Sequence, residues 1–155
     1  MSLGKLQLTI NEVQKMMDID GNDEDAKKDL IKLITDALSL EQYVNSIKSS
    51  IETILQDKTI DAADISTMIL LALQVSNTLP RLLGLKNSVS TSQVKYIIYG
   101  SLYFYVKEYK PSFFSESGMT EDIFKLMFLG MWKLVEVKPE SVQMMMTEKL
   151  SWCCV

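Results

Sequence analysis

The fold is constrained most by an apolar stretch near the middle of the chain, VKYIIYGSLYFYVKEY over residues 94–109. Spaced at about 100° per residue, as in a helix, its apolar side chains point in almost every direction. Its charges are confined to Lys95, Lys107 and Glu108. Because a helix that is apolar nearly all round is normally buried, we predict a central helix over about 91–109 with neighbours on at least two sides.

Helix-start patterns recur along the rest of the chain. Ser39 with Gln42 and Ser90 with Gln93 are both capping-box pairs, in which a serine and a glutamine three residues later bond each other's backbone. Thr120 precedes another apolar run and is a suitable N-cap. The patterns predict helices over about 10–17, 23–37, 39–57, 62–79, 91–109, 121–135 and 139–152.

The predicted architecture is all-α. No convincing pair of strands, internal repeat or Gly/Ser-rich linker interrupts the helices, so we expect a single helical domain over 1–155. The helix over 121–135 carries only a narrow charged stripe and is expected to be largely buried, like the central helix. Two buried helices favour an irregular, orthogonal array of about six helices over a simple up-and-down bundle.

The residue types that are missing exclude several classes of enzyme. The sequence has no histidine, which rules out Ser-His-Asp and Cys-His catalysis and histidine-based zinc sites. Cys153 and Cys154 are adjacent and form neither a disulfide framework nor a CxxC pattern. No phosphate-binding loop or nucleophile motif is present. We therefore expect no catalytic residues and no cofactor, with a carboxylate-based enzyme as the least favoured alternative.

Charge and hydropathy indicate where the protein is located. A net charge of −4 gives no general attraction to nucleic acid. A membrane span needs about 20 mostly apolar residues, and the longest charge-free run, over 65–80, contains several polar side chains. The sequence shows no secretory signal. We expect a cytoplasmic protein without a membrane span and without a nucleic-acid partner.

An acidic turn gives the one weak metal signal. Asp18, Asp20 and Asn22 have the spacing of the first three ligands of a calcium loop. The pattern then fails, because Asp23 stands where glycine is required and Asp29 where a bidentate glutamate is required. Acidic residues also suit a turn followed by a helix N-cap. We therefore expect no bound metal here.

A stripe of tyrosines on the central helix allows two interpretations. Tyr96, Tyr99 and Tyr103 fall on one side of the helix, and Lys107 lies one turn further along. Tyrosines beside a lysine could stack a small ligand or a nucleotide. Aromatic stripes at helical spacing are more often part of the core. The core interpretation is favoured, and ligand binding is kept as the alternative.

The helix over 62–79 has a polar face without a single charge. Solvated helix faces usually carry lysine and glutamate, so we expect this face to pack against another surface, and C2 pairing is the commonest form of self-association. The methionine-rich C-terminal segment is a second possible contact. The predicted interface residues are Ser66, Leu70, Gln74, Asn77, Met145 and Trp152. The sequence thus favours a non-catalytic interaction or structural module that forms a homodimer or binds another protein.

Overall fold

Helices account for almost all of the computed structural model, which describes residues 3–21, 23–56, 60, 62–85 and 89–136. The α-helices in this part of the chain are α1 (Leu3–Ile19), α2 (Glu24–Leu38), α3 (Glu41–Leu55), α4 (Ile65–Leu83), α5 (Thr91–Tyr109), α6 (Phe113–Ser117) and α7 (Glu121–Glu136). A short 3-10 turn at Ala62–Asp64 leads into α4. No strand occurs within the described ranges. The predicted all-α fold is confirmed.

The central helix is α5, as predicted. Every residue from 96 to 106 is buried, and α5 packs against α1, α2, α3 and α4. Gly100 lets α1 and α2 approach it closely, because an added Cβ would lie 3.3 Å from Val13 Cγ2 and 3.5 Å from Ile34 Cγ2. The distance to Val13 is tighter than an ordinary contact, so a side chain at this position would require Val13 to shift. The apolar stretch therefore forms the centre around which the other helices are arranged.

Two of the predicted helix starts have the expected caps. Ser90 Oγ accepts a hydrogen bond from the Gln93 backbone N–H at 3.3 Å, and Gln93 Oε1 accepts one from the Ser90 N–H at 3.0 Å. This is the complete capping box that launches α5. Thr120 Oγ1 accepts from the Ile123 N–H at 3.1 Å. It satisfies one of the free N–H groups at the start of α7.

The second capping-box prediction is wrong. Ser39 closes α2 in a helical conformation, with φ −80° and ψ −13°, and its hydroxyl donates to the Thr35 carbonyl at 2.7 Å. The N-cap of α3 is Leu40, which makes no side-chain capping bond. A residue that still belongs to the end of one helix cannot also take the extended N-cap conformation of the next.

Several helix boundaries also differ from the prediction. α1 begins at Leu3 and is much longer than the predicted 10–17. α4 continues through Pro80 to Leu83 and ends at Gly84, whose φ of 62° is left-handed. α6 forms between the helices predicted over 91–109 and 121–135, and its Phe113 is buried. The predicted helix over 139–152 lies outside the described residues.

Candidate functional site

α7 has two apolar faces, and the described part of the chain covers only one of them. The covered face packs into the core, where the Phe124 and Phe128 rings lie 6.3 Å and 5.2 Å from that of Tyr99 on α5. Phe128 also stacks on Trp132 at 6.2 Å. The buried residues of this face are Phe124, Phe128, Met131, Trp132 and Val135. They anchor α7 to the rest of the molecule.

The other apolar face of α7 is left exposed by the described residues. Ile123 is 46% exposed, Leu126 66% and Leu134 43%. Met127 is half-buried and Gly130 exposed between them. We call this surface the α7 stripe: Ile123, Leu126, Met127, Gly130 and Leu134. The prediction that this helix is largely buried is wrong for the stripe, because no described helix packs over it.

The exposed apolar side chains on α1 and α4 do not form a comparable surface. Leu8 and Ile19 on α1 are separated by the charged residues Glu12 and Lys15. Leu70 is the one large apolar side chain exposed on α4, at 38%. Apolar residues exposed singly are normal on protein surfaces, whereas contiguous ones mark contact sites. The α7 stripe is therefore the more informative surface.

Charged side chains lie along one flank of the α7 stripe. At 100° per residue, Asp122 and Lys133 fall within about 20° of each other, on the side of the stripe nearest Leu126. Both are exposed. The stripe therefore has an acid near its N-terminal end and a base near its C-terminal end, on the same side.

The uncharged face predicted on α4 is partly covered by α3. Ser50 Oγ on α3 donates to Gln74 Oε1 at 2.9 Å, and Gln74 is half-buried. Ser66, Leu70 and Asn77 remain exposed. These residues stay a predicted interface, although packing within the chain already accounts for Gln74. Met145 and Trp152 lie outside the described residues.

The tyrosine stripe is buried. Tyr96 is 3% exposed, Tyr99 0% and Tyr103 2%. Within the described residues the Tyr99 hydroxyl has no hydrogen-bond partner. Burial raises its pKa far above the usual range, and the negative charge of Glu12 acts in the same direction. The hydroxyl of Tyr99 therefore stays protonated and points into packed protein.

Lys107, the fourth residue of the proposed ligand platform, is bound within the chain. Its ammonium group pairs with Glu121 and lies 5.5 Å from the centre of the Tyr103 ring. The Tyr103 hydroxyl donates to the other oxygen of Glu121 at 3.1 Å. The three side chains hold the start of α7 against the end of α5, so both the ammonium and the Tyr103 hydroxyl are already used.

A cleft of about 390 Å³ reaches the tyrosine stripe at one end only. Its lining residues are Met17, Ala26, Asp29, Leu30, Ser90, Ser92, Gln93 and Tyr96. Tyr99, Tyr103 and Lys107 are not among them. The cleft therefore does not bring together the four residues predicted to hold a ligand.

The acidic turn is used for ion pairs between elements. Asp20 accepts from Lys95 Nζ at 2.8 Å and from the Tyr96 hydroxyl, while Asp18 pairs with Lys27. Among the described residues, no group of three or more acidic, cysteine or histidine side chains is arranged to hold a metal ion. Asn22 lies outside them. The structure thus brings Asp18 and Asp20 to basic partners.

Comparisons with known proteins give no relative from which a function could be transferred. The sequence matches no family model and no curated protein, and the fold matches no solved structure. Within the described residues, no helix is both long enough and apolar enough to cross a membrane.

Sequence reasoning missed the α7 stripe. The signal was present as a second apolar row in the sequence of α7, but the pattern does not show which row the chain itself covers.

Proposed function

We propose that the protein acts by protein–protein association in the cytoplasm, as a non-catalytic interaction or structural module, and that the α7 stripe is its contact surface. The observation that carries this proposal is the contiguous exposure of Ile123, Leu126 and Leu134 on one helix face. The core beneath this helix is otherwise well packed. Such a face is a recognised mark of a protein contact site.

The energy available from the α7 stripe suits a modest affinity. Burying a large apolar side chain completely contributes about 1.5–3 kcal/mol relative to leaving it exposed. Ile123, Leu126 and Leu134 are each about half exposed, so together they would contribute about 2–5 kcal/mol of gross free energy. Association also has an entropic cost, and neighbouring contacts must offset it. Micromolar binding corresponds to about 8 kcal/mol, so we expect an affinity no tighter than micromolar.

The alternative functions have less support. A ligand or nucleotide binder would use Tyr96, Tyr99, Tyr103 and Lys107, but the tyrosines are buried and Lys107 is paired with Glu121. A carboxylate-based enzyme would need acids poised together in a pocket. Among the interactions described, Asp20 and Glu121 are bound to lysine and tyrosine instead.

Photo-crosslinking in cells that produce the protein tests the association. A benzophenone-bearing amino acid replaces Leu126 in the full chain, and the matched control places it at Leu8, which is 48% exposed on α1. We expect a discrete protein adduct from position 126 and a much weaker one from position 8. Adding Leu134→Glu should abolish the adduct, since it places a charge in the apolar contact.

The adduct formed from position 126 decides whether the proposal stands. A discrete adduct of any protein, lost with Leu134→Glu, supports association through the α7 stripe. Equal labelling from positions 126 and 8, or an adduct unaffected by Leu134→Glu, would refute it.

A further inference from the structure

We infer that the partner of the α7 stripe is a second copy of this chain, paired with α7 antiparallel to α7 of the first copy and crossing near Gly130. The inference rests on the proposed function and specifies its partner. It is drawn from three properties of the stripe: the order of its apolar residues, the charges on its flank and the glycine at its centre.

The order of the apolar residues is self-complementary. A two-fold axis perpendicular to both helices reverses the direction of the second α7. When Ile123 of one copy is placed against Leu134 of the other, Met127 falls against Gly130. Each large side chain at one end then meets a large one, and the flexible methionine meets the position without a side chain. A parallel arrangement would place Gly130 against Gly130 and leave a gap.

The flanking charges fit the same arrangement. In an antiparallel two-fold pair, a given flank of one helix meets the same flank of the other. Asp122 and Lys133 share a flank, so Asp122 of each copy would face Lys133 of the other, and the pair would form twice. The two residues lie at opposite ends of the stripe, and only a reversed second helix brings opposite charges together.

Gly130 is the third observation. Glycine in the middle of a helix is unfavourable relative to alanine, because it loses more backbone freedom on folding. Gly100 is explained by the close approach of α1 and α2, but within the described residues a Cβ added at Gly130 would meet nothing within 4 Å. The described part of the chain therefore gives no packing reason for this glycine. A close helix crossing with a second copy would supply one.

The size of the contact sets the expected strength. α7 has 16 residues and is about 24 Å long at 1.5 Å per residue. Two helices of this length bury several hundred Å² per partner, which is below the standard interface of about 800 Å² per partner. We expect a dimer with a dissociation constant in the micromolar range.

Charge exchange in the full chain tests the geometry. Sedimentation velocity at low ionic strength measures the dissociation constants of wild type, Asp122→Lys and Lys133→Glu over about 1 µM to 1 mM. Each single variant replaces two attractive pairs by two repulsive ones, and we expect its homodimer to weaken about tenfold. An equimolar mixture of the two variants restores both attractive pairs in a heterodimer, which should return to within about twofold of wild type.

The mixture is informative only if both variants are folded. Asp122 and Lys133 are exposed, so the variants should fold normally, and circular dichroism checks that they do. Heterodimer formation from two weakened homodimers supports the antiparallel pairing. Homodimers that weaken without rescue in the mixture would refute the pairing but leave association through the α7 stripe intact.

Other partners would give different results. A wild-type chain that stays monomeric up to about 1 mM would overturn the inference, while a photo-adduct with another protein would leave the proposed function standing. The C-terminal segment of the same chain is a third possible occupant. In that case Leu126→Glu would speed amide exchange over 139–152 while the mass stayed that of a monomer, and the inference would fail. Leu8→Glu is the matched control for both the amide exchange and the mass in solution.

Discussion

At the scale of single residues, the core contains a hydrogen-bonded chain of two hydroxyls. Ser101 Oγ on α5 donates to the Ile97 carbonyl at 2.6 Å, and it lies 2.8 Å from the Tyr43 hydroxyl on α3. A serine hydroxyl has one proton, so Tyr43 must donate to Ser101. Both residues are buried. Burial raises the pKa of Tyr43 well above its usual range.

Removing either hydroxyl should destabilise the protein, but not equally. Tyr43→Phe leaves Ser101 bonded to Ile97, so we expect a loss of about 1 kcal/mol in the free energy of unfolding. Ser101→Ala leaves the Tyr43 hydroxyl buried without that partner, which should cost about 2 kcal/mol. Urea denaturation of both variants measures the difference. A larger loss for Tyr43→Phe would contradict the assigned direction of the bond.

At the scale of elements, two serines that have the same sequence pattern behave differently. Ser90 is extended, with φ −72° and ψ 159°, and begins α5 after Val89, which is not helical. Ser39 lies in the short turn between α2 and α3 and remains helical. The capping box needs the extended conformation, and the length of the connection decides whether the chain can adopt it.

The two serines form a matched pair for mutation. Ser90→Ala removes a capping bond from the central helix and should lower the free energy of unfolding by about 1 kcal/mol. Ser39→Ala removes only a hydroxyl that bonds back to Thr35 within its own helix, and should change it by less than about 0.5 kcal/mol. Thermal and urea denaturation compare them directly. Equal effects would show that the cap seen at Ser90 adds no more to stability than the Ser39 hydroxyl does.

The same elements show how far the sequence could predict the structure. The period of apolar residues located α5, and the local chemistry of Ser90 and Thr120 located helix starts, because both depend on nearby residues. The exposure of Leu126 depends instead on how many helices reach α7, and no local pattern contains that number. For this reason the fold class could be predicted, whereas the candidate surface could not.

At the scale of the whole molecule, Asp20 ties the end of α1 to the start of α5. It accepts hydrogen bonds from Lys95 and Tyr96, which lie far from it in sequence. Burial alone would raise the pKa of this carboxyl, but the bonds from Lys95 and Tyr96 outweigh it and hold the pKa below its ordinary value of 3.8. Folding therefore favours the charged form of Asp20.

This shift predicts the pH at which the connection fails. A carboxyl whose pKa is lowered by folding stabilises the protein above its unfolded-state pKa, and the contribution is lost as the pH falls through the folded-state value. Asp20→Asn removes the charge, and because Asp20 is partly exposed we expect only about 0.5–1 kcal/mol of destabilisation at pH 7. The difference from wild type should shrink towards zero below pH 3.8.

About 1 M salt at pH 7 should also reduce the difference between Asp20→Asn and wild type, since salt screens exposed charges. Urea unfolding at each pH measures both effects, and a difference that persists unchanged below pH 3.8 would show that the side-chain geometry rather than the charge of Asp20 stabilises this connection.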